Sequence, residues 1–96
     1  MDNITLQLND RNRGAFFYEE NDQQIGEMEI GINGHDMAVY HTEVKPEAEG
    51  KGIAKKLLET MVNYARQHQL KVIPLCPYVH AQFQRHPDLY NDVWKK

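Results

Sequence analysis

Apolar and polar residues alternate over the first 45 positions and then change period. Ile4, Leu6 and Leu8 alternate with Thr5, Gln7 and Asn9, a period of two that describes a strand with one buried face. A polar turn at residues 10–14 separates it from a second strand candidate through Ala15, Phe16, Phe17 and Tyr18. Residues 19–24 read as another polar turn. Ile25, Met28, Ile30 and Ile32 follow on a third strand, in which Gly26 is a candidate bulge position. Asn33-Gly34 is the strongest hairpin signal, because a type I′ turn needs positive φ at both central residues. A fourth strand is expected from about Met37 to Val44, completing an antiparallel meander.

Pro46 ends that strand. Ile53, Leu57, Met61 and Ala65 then recur every four residues, with Ala54, Leu58 and Val62 one step round and Lys55, Lys56, Glu59, Asn63 and Arg66 opposite. This is an amphipathic helix, expected from about residue 50 to residue 69. The apolar run Lys71-Val72-Ile73-Pro74-Leu75 suits a buried strand. A strand-helix-strand crossover lays it parallel to an earlier strand, naturally the one at 37–44. Pro77 opens a short helix at its first position, and His86-Pro87 closes it near Arg85. Leu89, Tyr90, Val93 and Trp94 form a final packing segment. The expected class is α+β in layers: antiparallel N-terminal strands, a Gly-x-Gly loop and long helix, a parallel splayed strand and a short C-terminal helix, as one domain over residues 1–96.

Composition narrows the function classes. Fourteen acidic and eleven basic residues give a formal charge of −3, which argues against nucleic acid or an anionic membrane as partner. No apolar run approaches the roughly 18 residues of a membrane span, and the N-terminus lacks the layout of a signal peptide. One cysteine, Cys76, closes no intramolecular disulfide, so a cytoplasmic location is expected. The histidine spacings (His35 and His41, His80 and His86) are not those of a helical metal pair, so no metal site is expected.

Residues 44–58 carry the first chemistry. A strand ends, Gly50 and Gly52 follow with one residue between them, and a long helix starts at once. Glycines let the backbone approach a ligand, and the free N–H groups of a first helical turn favour an anion. Lys51, Lys55 and Lys56 add positive charge there, so a phosphate is the expected guest. The dinucleotide fingerprint is excluded by Lys55, which stands where a third glycine belongs. A nucleoside-triphosphate loop is excluded because Gly-Lys-Ser/Thr is absent.

Strand, loop, Gly-x-Gly, helix and strand in this order resemble the acetyl-CoA-binding heart of the GNAT superfamily of N-acetyltransferases. That superfamily's loop reads Gln/Arg-x-x-Gly-x-Gly/Ala. Glu47-Ala48-Glu49-Gly50-Lys51-Gly52 matches at both glycines and departs at Glu47. With His41-Thr42-Glu43-Val44 before the loop, and Pro74-Leu75-Cys76-Pro77-Tyr78-Val79 and Arg85-His86-Pro87 after it, the sequence is similar to the small, single-domain YjdJ-like branch. The resemblance covers about residues 5–94. It implies that the pantetheine arm lies between two splayed strands, bonded to Thr42, Glu43 and Val44. The pyrophosphate then meets the loop and helix start, from Glu49 and Gly50 through Lys51, Gly52, Ile53 and Ala54 to Lys55. The thioester ends near Cys76.

Cys76 precedes Pro77, which puts the thiol at a helix N-cap where the dipole favours thiolate. Three roles stay open for it: acyl acceptor, acid for the departing CoA thiolate, or pocket wall. His41 is the candidate general base, since imidazole titrates near neutral pH. Strand parity places it with Met37, Val39 and Glu43, and Glu43 is a candidate to orient it or hold an ammonium group. Tyr78 and Tyr40 are candidate hydrogen-bond donors, Tyr78 on the cofactor side. The favoured function is transfer of acetyl from acetyl-CoA, as co-substrate, to an unidentified amine, small or protein-borne. The competing reading is a module that binds or senses CoA without transfer. A chain this short lacks the C-terminal strands that shape the acceptor side in larger relatives, so an open acceptor site is expected. A monomer is expected, with a dimer left open.

Overall fold

The alternating half of the chain folds into four strands, β1 (Ile4–Leu8), β2 (Arg13–Glu20), β3 (Gln23–Asn33) and β4 (Asp36–Val44), each antiparallel to the next. The structure is a computed structural model that describes residues 3–96. Met1 and Asp2, which begin the stretch read above for a leader, lie outside the described residues. After a 3₁₀ turn (Pro46–Ala48), helix α1 (Ile53–Gln67) crosses back and β5 (Lys71–Pro74) joins β4 in parallel. Helices α2 (Pro77–Arg85) and α3 (Pro87–Tyr90) complete the chain. The sheet order is β1-β2-β3-β4-β5, as a meander followed by one crossover requires.

Two of the three hairpin turns differ in detail from the residue-type signals. The β2–β3 loop is Asn21-Asp22, with φ of 54° and 63°. Positive φ at both residues is the type I′ requirement, so the expected 19–24 turn shrinks to two residues. The β3–β4 loop is Gly34-His35, and only Gly34 has positive φ (63°). The hairpin expected at Asn33-Gly34 therefore forms one residue later, with Asn33 paired to Asp36. Gly26 pairs with both Tyr18 and Val44, and the unpaired residue beside it is Ile25. The glycine is needed because a Cβ there would stand 3.0 Å from Ile53 Cγ2, where α1 crosses β3.

Helix α1 is shorter than residues 50–69 because Gly50 and Gly52, with φ of 88° and 76°, hold the chain out of helical geometry until Ile53. Its far end closes with Gln69 at φ 57° and Leu70 N–H donating to Ala65 O at 2.8 Å, a left-handed helix stop. Leu57, Leu58, Met61, Val62 and Ala65 of α1 join Val79 and Phe83 of α2 and Tyr90 of α3 in a single core with Phe16, Met28, Ile30, Met37, Val39 and Val72 from the strands. Cross-strand partners share a face, and these strand residues pair with one another. Helices α1, α2 and α3 therefore cover one face of the sheet, and among the described residues the other carries no helix.

Two leucines depart from the expected packing. Leu75 is 59% exposed, because β5 stops at Pro74 and the chain turns with Leu75 N–H on Ile73 O. Leu89 is 52% exposed, while its neighbours Tyr90 and Val93 are buried. The C-terminal segment covers the outer edge of β5: Val72 N–H bonds Val93 O, and Lys95 N–H bonds Val72 O at 2.9 Å. Arg66 of α1 anchors it, with Nε 2.8 Å and Nη2 3.1 Å from the two Asp92 carboxylate oxygens.

Candidate active site

The site follows from a mismatch in strand length. β4 has nine residues and β5 four, so their pairing runs only from Asp36↔Lys71 to Val39↔Pro74. One further bond, Cys76 N–H to Val39 O at 2.8 Å, closes the paired part. Beyond it β5 gives way to α2, and residues 40–44 of β4 run on with no β5 partner. The unpaired stretch of β4 leads into the Gly-x-Gly loop.

A bulge at Tyr40 fixes which face each neighbour serves. Ile30 pairs with Val39 and Glu29 with His41, leaving Tyr40 unpaired. The extra residue inverts parity after position 39. Thr42, opposite buried Met28, faces the helices; His41 and Glu43, opposite Glu29 and Glu27, face the open side. The expected parity of His41 with Met37 and Val39 is thus corrected. The His41 side chain is 56% exposed, with Nε2 3.8 Å from Glu43 Oε1. At that distance the two carry no hydrogen bond.

On the helix face, the gap is bridged by two side chains. Cys76 is the N-cap of α2 and 2% exposed, with its Sγ 3.3 Å from Thr42 Oγ1. The fold brings Cys76 and Thr42 together across the splay and puts His41 on the opposite face. Tyr78 stands in the first turn of α2, half-buried. Burial is the main reason its phenol pKa is raised, with Tyr90, Glu59 and Cys76 adding to it. Tyr78 is accordingly held as a neutral hydrogen-bond donor.

The loop at the end of this stretch is pinned by buried Ala48. Gly52 is the N-cap of α1, no side chain caps the helix, and no acid lies in its first turn. Lys55 stands there instead, the reverse of what the helix dipole favours without an anion. Apart from the adjoining residues of the chain, no described heavy atom lies within 4 Å of where a Cβ on Gly50 or Gly52 would stand. The loop is exposed at both glycines, with Lys51 and Lys55 exposed beside it. Lys56 does not belong to this group, since its ammonium lies 5.8 Å from the Tyr18 ring centroid. Glu47 and Glu49 are exposed on the outer side of the 3₁₀ turn.

A family model described as GCN5-related N-acetyl-transferase matches residues 15–93. The chain belongs to that family. Its membership places the chain among acyltransfer enzymes and accounts for the five-stranded mixed sheet with a parallel fifth strand. The chain is 26% identical to a GCN5-like N-acetyltransferase candidate from Staphylococcus aureus, with a TM-score of 0.70 over 99% of this chain and 91% of that one. It shares the fold of the ribosomal-protein-S18-alanine N-acetyltransferase from Escherichia coli at 12% identity and TM-score 0.67, covering 84% of this chain. It spans about half of that enzyme, 54%. An aminoglycoside N-acetyltransferase solved in complex with CoA shares the fold at 16% identity and TM-score 0.55, over 81% of this chain and 66% of that one.

Among the described residues no group of three or more His, Cys, Asp or Glu side chains is placed to hold a metal ion. No helix among them is long and apolar enough to cross a membrane. The sequence pattern did not reveal one feature of this GCN5-related domain. The row Arg13, Gly31, Ala38 and Ile73 runs straight across β2 to β5 on the helix-free face, and Tyr40 lies on it. The one available signal was Gly31 inside a strand, which marks a close approach of another group.

Proposed function

We propose that this protein is an acetyl-CoA-dependent N-acetyltransferase acting on an amine, working as a single cytoplasmic domain. The observation that carries this reading is the splay between β4 and β5 opening onto the uncapped start of α1. Acetyl-CoA supplies the activated acetyl group when bound. The unpaired edge at Thr42, Glu43 and Val44 offers backbone partners to the amides of a pantetheine arm. The amides from Gly50 to Ala54, flanked by Glu49, Lys51 and Lys55, hold its phosphates. Exposed Leu75 lies at the mouth of the gap, where it would be covered by the arm.

The division of residues between faces suits transfer through the gap. His41 on the open face takes the proton of an approaching amine, directly or through a water. Thr42, Cys76 and Tyr78 on the helix face offer O–H and S–H donors to the sulfur that departs. A buried Cys76 already engaged with Thr42 favours a hydrogen-bonding wall over an acyl acceptor. Holding amine and thioester together is the main contribution of so small a site.

Thermal unfolding with and without acetyl-CoA, paired with release of free CoA thiol in the presence of amines, tests this. Ligand at 100 times its Kd stabilises by about 2.7 kcal/mol. For a domain this size that raises Tm by roughly 10 °C or more. ATP at the same concentration leaves Tm unchanged. No shift with acetyl-CoA rejects the reading. A shift with no CoA release from any amine converts the protein to a CoA-binding module.

A further inference from the structure

The helix-free face carries a groove of about 570 Å³ whose floor is the row described above and whose near end is the Tyr40 bulge. Gly31 and Ala38 keep the floor low. A Cβ on Gly31 would lie 3.2 Å from Tyr40 Oη and 3.5 Å from Arg13 Nε, so the missing side chain lets the Tyr40 ring and Arg13 lie against the sheet. The Arg13 guanidinium is stacked 4.7 Å from the Tyr40 ring centroid. Among the described residues no acceptor meets its side-chain N–H groups. The turn that presents it is rigid: Asn9 Oδ1 accepts from the Arg11 and Arg13 backbone N–H groups at 2.8 and 3.1 Å. Ile32 N–H bonds Asn12 O at 2.9 Å, tying the turn to β3.

Charge in the groove is net positive once its ion pair is counted. Asp36 is neutralised by Lys95 Nζ at 2.7 Å, leaving Arg11 and Arg13 against Asp10. Further along the same face, past Tyr40, stand His41 and its register partner Glu29, then Glu43 and Glu27. A molecule lying on this face therefore meets guanidinium at one end and imidazole with carboxylates at the other. The splay opens beside the second end, along residues 40–44 of β4.

On the reading that the splay holds acetyl-CoA, we propose that this groove selects the acceptor. Its substrate is an amine bearing a carboxylate or phosphate, with the anionic group on Arg13 and the nitrogen directed past Tyr40 toward His41. Arg13 binds the anion through guanidinium N–H groups while its flat face stays on Tyr40. The stack preorganises it, since few rotamers remain to be lost on binding.

Matched acceptor pairs test the assignment: glycine against glycinamide and phosphoethanolamine against ethanolamine, with spermidine as a cationic control. CoA release is followed for each in the wild type and in Arg13→Gln. The wild type should prefer the anionic member of at least one pair by about 10- to 100-fold in kcat/KM, the worth of one charge-assisted hydrogen-bonded pair. The preferred pair separates carboxylate from phosphate. Arg13→Gln should erase that preference through KM rather than kcat, with acetyl-CoA affinity unchanged, while loss of the stack on Tyr40 lowers Tm by roughly 2–8 °C. In parallel, ¹⁵N spectra of the CoA-saturated protein titrated with glycine and phosphoethanolamine should shift Arg13, Gly31 and Ala38 for the preferred anion. Equal or better use of glycinamide, ethanolamine or spermidine overturns the proposal, as does an equal loss for every acceptor in Arg13→Gln. So does the absence of any shift at the groove residues. Failure of acetyl-CoA to bind is scored separately by the thermal experiment and counts against the splay reading alone.

Discussion

One inserted residue, Tyr40, decides which side of the sheet each neighbouring side chain serves. Without it, His41 would point into the helix layer beside Met37 and Val39; with it, His41 and Glu43 face the open side and Thr42 meets Cys76. If His41 takes the amine proton, His41→Gln lowers kcat by about 10²-fold, the low end for loss of a general base. Acetyl-CoA affinity stays the same, because the imidazole faces away from the loop; stopped-flow turnover with a binding isotherm checks both. Cys76→Ser keeps a donor beside Thr42 and retains activity within several-fold. Cys76→Ala leaves the Thr42 hydroxyl without its partner and costs about 1 kcal/mol of stability by denaturant unfolding. An acetyl group on Cys76 by intact mass, with activity lost in the serine variant, would restore the acyl-acceptor role. At Glu47 the exposed carboxylate lies one turn from the loop amides. Glu47→Gln should tighten CoA binding about three-fold at low salt, an effect that fades as salt screens it.

At the scale of elements, α1 bears its charges where an anion completes them. Its first turn holds Lys55 and no acid, so the helix start is poorly matched to its own dipole, a mismatch that a bound phosphate would relieve. Gly52 at φ 76° is what allows the turn. Gly52→Ala forces a side chain into left-handed geometry, costing about 1 kcal/mol, and weakens CoA binding with it. The far end of α1 gives a pH signature. Arg66 hydrogen-bonds Asp92 and holds its carboxyl below the usual range. A depressed folded-state pKa contributes stability above the unfolded value near 4, which is lost as pH falls through the folded one. The pair is exposed, so its worth is only about 0.5–1 kcal/mol. Asp92→Asn should lower Tm at pH 7 by roughly 3–8 °C and should flatten the fall of Tm between pH 5 and pH 2. These helices were legible in sequence because Pro77, His86-Pro87 and the four-residue apolar recurrence act locally. The true start of α1 was less so, since Gly50 and Gly52 adopt backbone angles that residue type permits without dictating.

For the whole molecule, legibility divides along the same line. Strand identities, the parallel fifth strand and the Gly-x-Gly loop follow from period, punctuation and crossover geometry. The Tyr40 bulge and the Arg13–Gly31–Ala38–Ile73 row do not. Each is set by register between strands distant in the chain, and no residue type announces them. The sheet with helices on one side and the splay on its long edge makes a final prediction about where bound acetyl-CoA acts. Core amides such as those of Met28, Ile30 and Val72 exchange with deuterium by global unfolding. They should slow about 100-fold at ligand 100 times Kd, whichever site is used. Amides in β1, at the sheet edge, exchange by local fraying and should not change. The amides of residues 40–44 that do not pair with β3, and those of residues 50–54, have no strand or helix acceptor. They exchange fast in the free protein and should slow by up to about 100-fold at that ligand concentration, and only when the splay is filled. Hydrogen exchange resolved by residue separates these classes. Protection confined to the core would place acetyl-CoA elsewhere, and new protection at Arg13 and Gly31 without the splay would place it in the groove.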